Sequence, residues 1–316
     1  MLTHMTTHSQ TESTPISAES KPNTSRRFEQ GFEVFILANE LVELALVPAL
    51  GAKVISLRNL VTGYEWMWHP PTEIKLFHNR PGDDFATSTL VGWDECLPTI
   101  APCLHQGRHL PDHGEVWSVP WAIDWDAWRR GHLKTAVKLQ LSPLDFERTI
   151  ELRGNVIHLR YQLTNRAAVA EKFLWAMHAL APTPPGGSLE LTPEARQQLG
   201  NPPWLAGMNF EKSEPACVKT YAGPLDEGRA AILNSASGDR LTFRWDTRLN
   251  DTVGVWLTRG GWHGHHHVAL EPSNGYPDDL TTAELHGRCG IISANARLEW
   301  EVAMQIDPCG RKQNRK

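Results

Sequence analysis

No run in this chain approaches the roughly 20 consecutive apolar residues that a membrane span needs. Residues 1–27 are rich in Thr, Ser and Gln and lack the apolar core of a signal peptide, so they are expected to form a disordered arm. Charge of one sign is also missing. With 31 Lys and Arg against 36 Asp and Glu, the formal net charge is −5, and no basic patch points to nucleic acid. The single basic cluster is the tail at 309–316, read as a frayed end. Five cysteines (Cys96, Cys103, Cys217, Cys289, Cys309) are odd in number and none has CxxC spacing. That pattern suggests neither a zinc site nor a complete disulfide set, and it fits a reducing cytoplasm. Tyrosine is scarce at 4, whereas there are 13 Trp, flat apolar surfaces suited to sugar rings and equally to cores.

Helical periodicity is weak throughout, and Thr192–Leu199 is the best short candidate. What the chain does have is alternation. Phe32–Leu37 and Leu41–Val47 read as a hairpin. Lys53–Asn59 alternates, with Val54, Ser56 and Arg58 on one face. Val116–Trp125 and Leu133–Leu141 read as strands, and two further strands flank an Arg153-Gly154-Asn155 turn. Lys172–Leu180 is apolar on both faces, as a central strand should be. More strands follow near 229–234, 239–246, 252–258, 265–271 and 297–306. Many short strands separated by turns predict an all-β antiparallel β-sandwich, a single domain over 28–308. Between Pro70 and Pro111 the pattern vanishes; a long irregular stretch inside a compact domain is often functional.

Four places carry candidate chemistry. Glu271 ends the strand His267–Glu271, and the apolar residues before it predict partial desolvation, a raised pKa and a better base. Gly92-Trp93-Asp94-Glu95 sets two carboxylates beside an aromatic platform. Asp112-His113-Gly114 places a histidine before a glycine that lets backbone approach closely, with Trp117 just beyond. His178 is the one ionisable group in the apolar run Phe173–Leu180. The tract Trp262–His267 resembles a metal-binding run, but strand alternation splits its histidines between faces. His265 and His267 would then share a face with Glu271, His267 as a neighbour.

These pieces resemble, in order, the aldose 1-epimerase (galactose mutarotase-like) superfamily. The matching segments are GAKVISLRNLVTGYEWMW, LPDHGEVWSVPW, FERTIELRGNVIHLRYQLTN, FLWAMHAL and VALEPSNGYPDDL, spanning about 32 to 306. The resemblance implies a large twisted sandwich and an enzyme, an isomerase interconverting the α and β anomers of a free sugar. It implies Glu271 as base, His178 as acid on the ring oxygen and His113 as an orienting or assisting group. Trp93, Asp94, Glu95 and Trp117 are candidate substrate contacts. Neither metal nor organic cofactor is implied, and the partner expected is a small carbohydrate. The sequence departs from the family at Ala179-Leu180-Ala181, where aromatic residues are usual. Leu90, Val91 and Trp117 stand where the sugar-phosphate branch carries Arg, which favours an unphosphorylated sugar; Arg80 remains a possible source of charge. Two other classes fit the same pattern: a non-catalytic sugar sensor, and a polysaccharide lyase or glycoside hydrolase pairing Asp94 or Glu95 with Glu271.

Overall fold

The computed structural model describes residues 22–184, 186–208 and 216–307. Two large antiparallel sheets face one another. The first has nine strands in the spatial order Asn23–Glu29, Phe32–Ala38, Val42–Val47, Lys53–Asn59, Trp93–Cys96, Ala176–Pro182, His266–Ser273, Thr252–Arg259, Ala216–Ala222. The second has eight, with Arg297–Asp307, Val156–Asn165 and Leu144–Arg153 at its centre. This is the all-β sandwich expected from the alternation. Among the described residues no helix is long and apolar enough to cross a membrane.

The core lies between the sheets, where alternate residues of each central strand point inward. Along Leu144–Arg153, Leu144, Phe146, Arg148 and Ile150 are all buried. Phe146, Tyr161 and Trp300 stack in near-parallel planes, with Trp175 set edge-on against Trp300. Arg148 is a buried cation in this layer, and Glu95 answers it at 2.8 Å. The same carboxylate accepts bonds from Tyr161 Oη, Trp175 Nε1 and Trp93 Nε1.

Several local expectations need correction. Residues Asn23–Arg27, assigned to the disordered arm, belong to the edge strand Asn23–Glu29. Residues 1–21 of the arm and the tail after Asp307 lie outside the described residues. Gln30-Gly31, both with positive φ, turn this strand into the next. In Lys53–Asn59 a bulge opposite Ala45 and Leu46 interrupts the alternation, so Val54 and Leu57 both reach the core. Arg153 pairs with Val156, which shortens the predicted three-residue turn to Gly154-Asn155. Val116–Trp125 is not a strand but a buried loop leading to Ala122–Ile123 and a short helix, Trp125–Arg129. The apolar run Lys172–Leu180 is split between a short strand, Glu171–Phe173, and Ala176–Pro182. The predicted short helix is present as Pro193–Gln198, capped by Thr192.

The irregular stretch after Pro70 contains the Trp93–Cys96 strand, central to the first sheet. Its burial is complete on both faces, so Asp94 and Glu95 are not part of a solvated acidic loop.

Candidate active site

Strand register assembles the site. Ala176 pairs with Ser273 and Leu180 with Ala269, so His178 lies across from Glu271. On its other side His178 pairs with Asp94. Glu271 pairs in turn with Gly254, whose missing side chain leaves the space Glu271 occupies; a Cβ there would sit 2.6 Å from Glu271 Oε2. Lys219, from the edge strand Ala216–Ala222, reaches Glu271 from the far side of the Thr252–Arg259 strand. His113 arrives from a loop instead. His113 and Gly114 both have positive φ, and the flanking amides bond to Ile100 O and Leu97 O. Glu115 fixes the far side by accepting three backbone N–H bonds from Gln140, Leu141 and Ser142.

Gly114 is required at its position. Its φ is +76°, and a Cβ would lie 2.0 Å from Leu97 O. Gly114→Ala is therefore expected to lower stability by at least ~2 kcal/mol, combining left-handed strain with a backbone clash. Denaturant unfolding beside wild type measures this directly.

A cavity of about 420 Å³ opens over this face. His113 and His178 line it, with their ring centroids 5.0 Å apart. Phe85 stacks on His113 at 3.9 Å and presents its edge to His178. Trp256 lies nearly parallel to His178, and Trp262 stands at right angles to Trp256. Asp84, Asp112 and Asp278 complete the polar wall.

Each histidine is held by a carboxylate. His178 Nδ1 is 2.5 Å from Glu271 Oε1, and His113 Nδ1 is 2.9 Å from Asp112 Oδ1. Burial alone would raise the Glu271 pKa, but Lys219 and His178 outweigh it and hold the carboxyl at about 2. Asp112 shows the same contest between burial and His113, and its pKa is also lowered. Ionised carboxylates only accept hydrogen bonds, so both Nδ1 atoms carry protons. Burial lowers the His178 pKa in spite of Glu271, which keeps this ring neutral at neutral pH. Its Nε2 has no partner and presents an available lone pair.

This corrects the expected direction of the Glu271 pKa shift: the carboxyl is 1% exposed and its pKa is lowered, not raised. The apolar run before it correctly signalled burial, but Lys219, a lone cation in a strand that the pattern did not reveal, reverses the expected shift.

Other candidates are also displaced. Trp93 and Glu95 turn into the core between the sheets, and Arg80 is exposed and does not line the cavity. Asp94 faces the pocket side but is engaged by a fully buried Lys53. Trp117 is buried and donates through Nε1 to Asp112 O, bracing the His113 loop. His267 is buried among Trp68, Trp256 and Trp262; burial and neighbouring histidines push its pKa down to about 3. Sequence reasoning passed over Lys219, Asp278, Phe85, Trp256 and Cys96. Asp112, adjacent to His113, was the one partner with a legible signal.

No protein-family model matches the chain, and no curated protein matches it in sequence. The backbone is another matter. A galactose mutarotase-like protein from Clostridium acetobutylicum aligns with 91% of this chain and 99% of its own, at a TM-score of 0.67 and 11% identity. The chain has the galactose mutarotase-like fold. A protein from Klebsiella pneumoniae, provisionally named an aldose 1-epimerase, aligns at a TM-score of 0.67 over 87% of this chain and 79% of its own, with 16% identity. A galactose mutarotase-like protein from Lactobacillus casei gives 0.61 over 87% and 100%, with 14% identity. At these identities the likeness is one of fold. Within this galactose mutarotase-like fold, the cavity sits on the outward face of the nine-stranded sheet, over its central strands.

Proposed function

We propose that this protein is an aldose 1-epimerase that interconverts the anomers of a free, unphosphorylated sugar, with His178 and His113 as its two proton-transfer groups. The observation carrying this reading is the facing pair of histidines, each held at Nδ1 by an ionised carboxylate, across one cavity. Mutarotation needs a group to take the proton from the anomeric hydroxyl and another to protonate the ring oxygen. In the proposed cycle, the bare Nε2 of His178 takes the hydroxyl proton while the Nε2 of His113 gives one to the ring oxygen. The bond from the anomeric carbon to the ring oxygen breaks as the carbonyl forms. The aldehyde turns about its bond to the next carbon, the ring closes on the other face, and both protons return. Glu271 and Asp112 act through the imidazoles as positioning residues.

The walls favour a neutral sugar. Lys219 brings an ammonium group to the cavity, but Glu271 takes it up directly and Asp278 lies 3.6 Å away. Carboxylates of Asp84, Asp112 and Asp278 supply acceptors for hydroxyls, and Trp256 and Trp262 supply flat apolar faces. The glycosidase alternative loses support, because Asp94 and Glu95 are engaged by Lys53 and Arg148. Polarimetry on freshly dissolved single anomers of several neutral aldoses tests the reading. Equilibration faster than buffer, in proportion to protein, is expected for at least one of them. Saturable binding without acceleration would favour a sugar sensor.

A further inference from the structure

Cys96 ends the Trp93–Cys96 strand, buried against Ile100 and Ala176 on the pocket side of the sheet. Its Sγ and one ring nitrogen each of His113 and His178 lie within 4.8 Å of one another. Among the described residues this is the one such cluster of possible metal-binding side chains. Three features beyond proximity point to a ligand. The Nε2 of His178, a residue 2% exposed, has no hydrogen-bond partner. Both Nδ1 atoms are bound to carboxylates, which fixes the two rings and leaves the Nε2 atoms free to coordinate. Carboxylate-backed histidines are the usual support of a metal-binding imidazole. The third donor is a free thiol.

We propose that Cys96, His113 and His178 form a three-ligand site for a borderline-soft divalent ion, Zn²⁺ above all, with its fourth position open to the cavity. One sulfur and two imidazole nitrogens suit tetrahedral Zn²⁺, whose bonds of roughly 2.0–2.3 Å place ligand atoms about 3.5 Å apart. Binding would therefore draw the three side chains together by about 1 Å. The Cys96 thiol gives its proton to solvent as the metal–sulfur bond forms, so the net charge of the bound centre is +1 before its carboxylate neighbours are counted. Spacing along the chain could not reveal this site, because the donors come from a sheet strand, a loop and a second strand. Binding does not depend on the epimerase reading. On that reading, however, a bound ion takes both proton-transfer nitrogens, and the loaded protein is inactive.

The test uses the full chain, reduced and stripped with a chelator, and titrated with Co²⁺ alone. Expected is one equivalent bound, with a thiolate-to-cobalt charge-transfer band in the near ultraviolet and visible bands of four-coordinate cobalt. Zn²⁺ should then displace the cobalt. Cys96→Ser and Cys96→Ala should abolish the charge-transfer band. His113→Gln, in the partly exposed loop, should weaken binding by at least ~10-fold while the metal-free protein keeps its melting temperature. Absence of the band in wild type, or a band that survives in folded Cys96→Ser, would overturn the proposal. Because the readout is spectroscopic, these results stand whether or not any sugar is turned over.

Discussion

His178→Ala is expected to slow anomer interconversion by roughly 10²–10⁴-fold, the contribution of one positioned acid–base group. That corresponds to about 3–5 kcal/mol of transition-state stabilisation. The buried ring borders the cavity, and Glu271 keeps Lys219 as its partner, so the fold is expected to persist. Sugar affinity should change less than turnover, since Trp256, Trp262 and the aspartates remain in place. Added imidazole should recover part of the rate by occupying the vacated space between Trp256 and Phe85. Progress curves by polarimetry, with and without imidazole, separate this outcome from misfolding. A variant as fast as wild type would mean that the proton moves through another group.

Glu271→Gln carries the second large effect, and it acts on two levels. The amide no longer presents an anion to His178 Nδ1, so the tautomer that leaves Nε2 bare loses its support. Replacing a carboxylate behind a catalytic imidazole can cost orders of magnitude in rate. We expect at least ~10²-fold in kcat with little change in KM, because Glu271 lies beneath the pocket lining. The variant also leaves Lys219 with only Asp278 at 3.6 Å. Losing one partner of a buried pair costs roughly 3–5 kcal/mol, and about 2 kcal/mol is reasonable here because the Lys219 side chain is a quarter exposed.

The acid limb of stability offers an independent check on Glu271. Its pKa is lowered from 4.5 in the unfolded chain to about 2 in the native protein. A lowered carboxyl pKa stabilises the native state fully above the unfolded value, and that contribution is lost as pH falls through the folded value. Discounted for the partial exposure of Lys219, the difference is of the same order as the ~2 kcal/mol above. In metal-free protein, the stability gap between wild type and Glu271→Gln should therefore shrink as pH falls from about 4.5 to about 2. Denaturant melts at several pH values measure it.

Much of the fold was legible because strand alternation is a local signal. Leu144–Arg153 and Val156–Asn165 read correctly, since each inward residue meets the same core. Where alternation failed, another constraint had intervened. The bulge at Lys53–Asn59 moved Val54 and Leu57 onto one side, and two buried carboxylates paired with distant cations broke the alternation of Trp93–Cys96. Site residues were legible when a rare residue type stood in an unlikely setting, as His178 does among apolar neighbours and His113 before Gly114. Their electrostatics were not, because the Glu271 pKa depends on Lys219, which sheet order brings to it from a strand distant in sequence. Asp94 and Glu95 show the converse. Both are buried carboxylates, yet Lys53 and Arg148 come from strands distant in sequence and bind them as structural ion pairs.

The central claim is that two carboxylate-held histidines exchange protons with the anomeric centre of a sugar. Exchange NMR between the anomeric resonances of an equilibrated aldose tests it most directly, with metal-free wild type, His178→Ala and His113→Ala side by side. The account predicts anomer exchange that rises with wild-type concentration and falls close to the buffer rate in both variants. Sugar resonances that broaden on binding to wild type, without any exchange between anomers, would contradict it.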